Sequence, residues 1–156
     1  MRRFRCCERG SQVIELGLVL LPMFAIVFLM MDSAWAVFAK ASLQYAVRQG
    51  CRYAVTSQTL PGMGQDDSIK TVVQNCSLGF LNSGANNQNN VSISYFNPST
   101  LQATNSNAGG NVVQIAINNV TVAPLVPLWR SATPLQISAV SSDVMEASPN
   151  GIPPPR

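Results

Sequence analysis

The chain has 156 residues, 47% of them hydrophobic and only 11% charged, with a net charge of +3 and no histidine. That is less than half of the roughly 25% charged content of an average soluble domain, and Asn, Ser, Gln and Thr fill the gap, which suits an exported protein. Without His there is no usual general base, no usual zinc ligand and no Ser-His or Cys-His pair, and so small a net charge leaves no electrostatic footprint for nucleic acid; no enzyme activity, cofactor or metal is expected.

The first ten residues carry Arg2, Arg3, Arg5 and Arg9 against Glu8, which accounts for the whole net charge; beyond them six Lys and Arg face six Asp and Glu. Residues 16–31 then run without a charge, and ten of those sixteen are Leu, Ile, Val or Phe. At about 1.5 Å per residue, that run extended to Phe38 covers a bilayer core of roughly 30 Å. The basic cluster in front predicts a cytoplasmic N-terminus and an exported remainder. Three readings fit the segment. It is a cleaved signal peptide ending near Ala34-Trp35-Ala36, a plain signal anchor, or a prepilin-type leader followed by a membrane helix.

Gly10 stands at the junction of charged and apolar sequence, and Glu15 lies five positions later, inside the apolar run. A carboxylate there costs on the order of 2–3 kcal/mol if it is deep in lipid, so it calls for a partner. A cut after Gly10 would make Ser11 the N-terminus and place its ammonium about one helical turn from Glu15. The helix macrodipole also favours an acid in the first turns, so Glu15 on a simple anchor is the blander alternative.

Past Phe38 the sequence stays rich in Ala, the best helix former, and a helix is expected to continue over 39–56. Lys40, Gln44 and Arg48 recur at four-residue spacing and predict a polar face, with Phe38, Ala41, Tyr45 and Arg52 beside or opposite it. Pro61-Gly62 and Gly64 break the period. Asp66, Asp67 and Ser68 open a short helix over 66–76, and 83–90 is an Asn- and Gly-rich loop. Val91-Ser92-Ile93-Ser94-Tyr95, Val113-Gln114-Ile115-Ala116-Ile117, Val120-Thr121-Val122 and Leu135-Gln136-Ile137-Ser138-Ala139 alternate as half-buried strands do. A polar turn over 104–111 and an apolar connection with Pro124, Leu125, Pro127, Leu128, Trp129 and Pro134 separate them. The expected fold is α+β: a long membrane-spanning helix running into a small domain, residues 57–148, with a three- to four-stranded antiparallel sheet. The tail 149–156, with three consecutive prolines, is expected to be disordered.

Cys51 and Cys76 lie past the membrane segment and could pair in an oxidising periplasm, a closure worth about 3 kcal/mol in the chain-entropy model. Cys6 and Cys7 fall in the cytoplasmic leader.

Three stretches resemble the TadE-like pseudopilins of tight-adherence (Flp-type) pili. They are Gly10-Ser11-Gln12-Val13-Ile14-Glu15 with its Leu-rich run to Leu21-Pro22, the helix Ala41-Ser42-Leu43-Gln44-Tyr45-Ala46-Val47-Arg48-Gln49-Gly50-Cys51-Arg52-Tyr53-Ala54, and the strand, Pro-rich connection and strand over 112–145. The resemblance implies a pilin-like, single-pass inner-membrane protein with its C-terminal domain in the periplasm. It implies cutting after Gly10 by a prepilin peptidase, and partners among other pilins, the assembly platform and membrane lipid. Leu16 stands where the main pilin subunits have Tyr, and the chain is far longer than theirs, which favours a minor pseudopilin. The rival expectation is an anchored periplasmic binding or adhesion module that uses its Asn-rich loops, 83–90 and 104–111, as the contact surface.

Overall fold

The structure, a computed structural model, describes residues 8–82, 86–125 and 134–156. The leader residues 1–7, residues 83–85 of the Asn-rich loop, and Pro127, Leu128 and Trp129 of the apolar connection lie outside that set.

One helix dominates. α1 (Glu8–Val55) runs 48 residues without a break, with Pro22 inside it, and at about 1.5 Å per residue it is about 72 Å long. Among the described residues no element covers its first half: Val13, Ile14, Leu16, Leu18, Val19 and Leu21 are all more than 60% exposed. From Trp35 onward the helix acquires a buried stripe. Ala39, Leu43, Ala46, Val47, Cys51 and Ala54 are buried, at the three- and four-residue spacing of one helix face. The expected polar face holds at Lys40 and Arg48, which are exposed, while Gln44 is half-buried. Phe38, Ala41, Tyr45 and Arg52 point outward, so the core face is made of small and aliphatic residues and not of the two aromatics.

α2 (Gln65–Cys76) starts one residue before its expected beginning and carries Asp66 and Asp67 in its first turn, where the macrodipole favours acids. It runs back along α1. Gln65 Nε2 donates to the Ala54 carbonyl at 3.2 Å, and Phe80, just past the end of α2, stacks near Trp35 and Phe38 with ring centroids 5.7 and 6.3 Å away. Gly50 makes the crossing possible. A Cβ there would collide with the Val73 side chain and crowd Ile115, so α2 and the sheet approach α1 only because the residue has none.

The sheet is antiparallel with strand order β2-β1-β3-β4, from β1 (Val91–Phe96), β2 (Ala103–Thr104), β3 (Val112–Val122) and β4 (Leu135–Val144). The alternating segments 113–117 and 120–122 form one strand with a bulge. Ile117 pairs with Ala139 and Val120 with Ile137, so β3 carries one extra residue there, and Asn119 takes a φ of 54°, a region Asn enters more readily than most residues. The bulge resets the alternation: Val113, Ile115 and Ile117 are buried before it, Val120 and Val122 after it. A single strand of strict period two would have turned the last pair to solvent. These side chains, with Val91 and Tyr95 from β1 and Ile137 and Ala139 from β4, join the stripe of α1 and Ile69 and Val73 of α2 in one core. The fold is α+β, as expected from the sequence.

The tail is a correction. Expected to be disordered, residues 149–156 instead dock on the start of α2. Gln65 N donates to the Pro155 carbonyl at 2.7 Å, Asn107 Nδ2 to the Pro154 carbonyl at 2.8 Å, and Arg156 Nη2 reaches Asp66 Oδ2 at 2.8 Å. Gly64 admits the tail because a Cβ there would strike the Arg156 backbone.

Replacing Gly50 by Val should cost about 1–3 kcal/mol through overpacking at this crossing. A lowered urea midpoint of the detergent-solubilised protein would show it, and an unchanged midpoint would mean that the helices do not meet at Gly50.

Candidate functional site: the N-terminal helix and its junction with the domain

The residues singled out for processing all fall on α1. The described helix runs from Glu8, so Gly10 and Ser11 are helical, and Glu15 follows Ser11 about 6 Å further along the axis with its side chain exposed. The apolar part of α1 is long enough to cross a membrane: an 18-residue window reaches a mean hydropathy of 2.6, and none of it is buried. Twenty residues, 12–31, span about 30 Å, the thickness of a bilayer core.

Asp32 marks the change of environment. Its Oδ1 accepts the Leu125 backbone N–H at 3.0 Å, so the chain leaving β3 touches α1 at the end of the apolar run. Three residues later begins a cluster of rings, Trp35, Phe38 and Phe80, with Trp35 and Phe38 stacked at 5.7 Å. From there the domain is fastened to α1. Gln44 Nε2 donates to the Val140 carbonyl at 2.9 Å, and Glu146 N to the Val55 carbonyl at 3.3 Å. Sequence reasoning missed Asp32 as a contact point. Its signal was a carboxylate at the edge of an apolar run, the same signal that singled out Glu15.

Residues 10–52 match the family model described as TadE-like protein. Over most of α1 the chain is similar to the TadE-like family. The match begins at the junction glycine and ends three residues short of the end of α1, so it covers the exposed apolar half and most of the helix that packs into the domain. It implies a part in tight-adherence pilus assembly. The described residues hold one such apolar helix, which fits a single-pass membrane protein. No curated protein and no solved structure matches the chain.

Cys51 and Cys76 are both free thiols in the structure. Cys51 faces the sheet, its Sγ donating to the Ser141 carbonyl on β4 at 3.3 Å, while its neighbour Gly50 meets α2. Cys76 sits half-buried at the end of α2. Burial pushes the Cys51 thiol above its ordinary value. In the folded protein iodoacetamide should therefore modify Cys76 well before Cys51, with the difference vanishing in urea; mass spectrometry of the alkylated peptides reads both.

Four asparagines of the Asn-rich segments, Asn86, Asn90, Asn107 and Asn111, spend their side chains internally. Asn86 Oδ1 accepts from Thr121 N at 2.9 Å and its Nδ2 donates to the Thr121 carbonyl at 2.7 Å, extending the sheet where β1 has not yet begun. Asn90 Nδ2 donates to the Asn118 carbonyl at 3.0 Å. Asn107 joins Gln65 and the tail, and Asn111 Nδ2 donates to the Ser106 carbonyl. Amides committed in this way are poor recognition groups, which counts against the adhesive reading. Asp66 is likewise structural: it accepts from the Tyr95 hydroxyl at 2.8 Å and from Arg156 Nε at 2.9 Å, with the Arg156 guanidinium 4.7 Å from the Tyr95 ring centre.

Burial, reinforced by the hydrogen bond to Asp66, pushes the Tyr95 phenol well above its ordinary value. Cys51 and Tyr95 thus hold their protons more tightly folded than unfolded. The stability they lend is complete below their ordinary values of 9.0 and 10.0 and is lost as the pH rises through the folded ones. The urea midpoint should fall through that alkaline range, and Tyr95→Phe with Cys51→Ala should flatten the fall.

Proposed function

We infer that this protein is a minor pseudopilin of tight-adherence pili, a structural and not a catalytic component. A prepilin peptidase cuts it after Gly10. It is held N-terminus inward in the inner membrane, with its domain in the periplasm. The observation that carries this reading is the build of α1: an apolar half that none of the described residues covers, continuous with a half that forms the core of a small α+β domain.

The chemistry of each part supports it. Cutting after Gly10 removes the leader's net positive charge and leaves a formally neutral protein. The basic leader is then an orientation signal with no further use. The bond after Gly10 lies within the helix, so a peptidase that binds an extended chain must unwind it, and Gly10 lowers that cost by about 1 kcal/mol relative to Ala. The new ammonium of Ser11 lies about 6 Å along the axis from Glu15, and its own carboxylate or a neighbouring subunit's can neutralise it. The outward stripe Phe38, Ala41, Tyr45, Arg48 and Arg52 repeats at helical spacing, away from the core. It is the natural face for lateral packing against other pilins or the assembly platform.

Intact-mass and N-terminal analysis of the membrane-embedded protein should find Ser11 first; a chain that still begins at Met1, or one that begins near Val37, contradicts the processing claim. Glu15→Val should leave the cut intact but reduce assembled pili by about tenfold or more, a factor of ten being about 1.4 kcal/mol. Undiminished pili would remove the role given to Glu15.

A further inference from the structure

The domain has two ends, and they differ in chemistry. Three segments meet α1 just past Asp32. Phe80, in the turn after α2, packs on Trp35 and Phe38. Leu125, after β3, holds Asp32. The start of β4, Leu135 to Ser138, borders a groove of about 290 Å³ with Ala36, Val37 and Lys40. At the opposite end, about 34 Å up the helix axis, Gln65 of α2 and Glu146 after β4 bond to Ala54 and Val55.

The end beside Asp32 is apolar and exposed. Val37 is 69% exposed, Leu78 67%, Leu125 56% and Leu135 50%, and they surround α1 where its uncovered apolar run stops. The domain's acids lie elsewhere. Asp66 and Asp67 open α2, Asp143 stands near the end of β4 and Glu146 just past it, all at the far end, where Arg156 pairs with Asp66. Lys40 is exposed at the apolar end, on the rim of the groove.

We propose that this apolar end rests in the bilayer that α1 crosses. Leu78, Leu125, Leu135 and Val37 enter the boundary between headgroups and acyl chains, and the Lys40 ammonium pairs with lipid phosphate. The proposal rests on the membrane reading of α1 and extends it from the helix to the domain. Lipid is identified as the occupant by continuity: among the described residues the apolar collar runs on from a helix surface that is uncovered for the full thickness of a bilayer. Lys40 on the rim of the groove can meet the phosphates of an anionic surface, while the Asp32 carboxylate beside it accepts the Leu125 N–H. Trp35 sits where interfacial aromatic residues concentrate, and a lysine stem over apolar surface with its head in the polar layer is the usual snorkelling arrangement. Docked in this way, the domain is fixed upright on the membrane.

The test uses the full chain in vesicles of phosphatidylcholine and phosphatidylglycerol, with plain or acyl-brominated lipid. Trp35→Phe and Trp129→Phe clear the background, and single tryptophans are returned by Phe24→Trp in the span, Leu78→Trp or Leu125→Trp in the collar, and Leu101→Trp at the far end. The expected result is that brominated lipid strongly quenches position 24 and clearly quenches 78 and 125, which acrylamide reaches poorly, while position 101 is open to acrylamide and untouched by lipid. Positions 78 and 125 behaving like 101, with 24 still quenched, would overturn the proposal and leave the membrane span standing. Shielding of 78 and 125 from both quenchers would overturn it in favour of a second copy of the chain. An unquenched position 24 would remove the membrane reading and the proposal together.

Discussion

Everything in this protein follows from one rod that must satisfy two surroundings. The first half of α1 offers large aliphatic side chains on every side and finds no cover among the described residues. In water that much exposed apolar surface would drive aggregation; in a bilayer it needs nothing further, because every backbone group except those near Pro22 is satisfied within the helix. The second half cannot be apolar all round without losing the distinction between domain and membrane. It therefore narrows to a stripe of Ala39, Leu43, Ala46, Val47, Cys51 and Ala54, and the domain is built on that stripe.

The domain is fitted closely to the rod. Small residues dominate the helix stripe, so α2 and the sheet come near, and Gly50 takes this to the limit. The bulge at Asn118 and Asn119 keeps β3 facing the helix along its whole length. Gln44 and Cys51 each donate to a carbonyl of β4, so the outer strand lies against α1 and is shielded from edge-to-edge pairing. At the far end the tail is secured through Asp66, with Tyr95 and Arg156 sharing one carboxylate. A domain anchored along about half of a continuous helix transmits any displacement of that helix directly, which suits a component that moves as one body in an assembly.

Much of this was legible in the sequence because its signals are local. Sixteen uncharged residues announce the span, Asp66-Asp67-Ser68 announces α2, and the alternation of Val, Ile and Tyr announces the long strands. What escaped depends on distant partners. β2 is two residues, Ala103 and Thr104, with no pattern of their own; they pair because Tyr95 and Phe96 lie opposite. The docking of a Pro-rich tail depends on Asp66, ninety residues away, and on Gly64 leaving room. Cys51 and Cys76 suggested a bond by spacing, but direction decides, and Cys51 is turned toward β4. Of the candidate site, the Gly10 and Glu15 spacing was readable in the local sequence. The role of Asp32 was hidden, because its contact comes from Leu125, far along the chain.

The central claim is that α1 changes surroundings at Asp32, lipid before it and protein after it. A nitroxide scan along residues 12–55 of the cysteine-free chain in lipid nanodiscs measures this directly, by collision with oxygen and with a water-soluble nickel complex. The account predicts that positions 12–31 favour oxygen on all sides of the helix. From about 37 onward both reagents should follow a three- to four-residue period, with minima at 39, 43, 46, 47, 50 and 54. A nickel-accessible face running through 12–31 would contradict it.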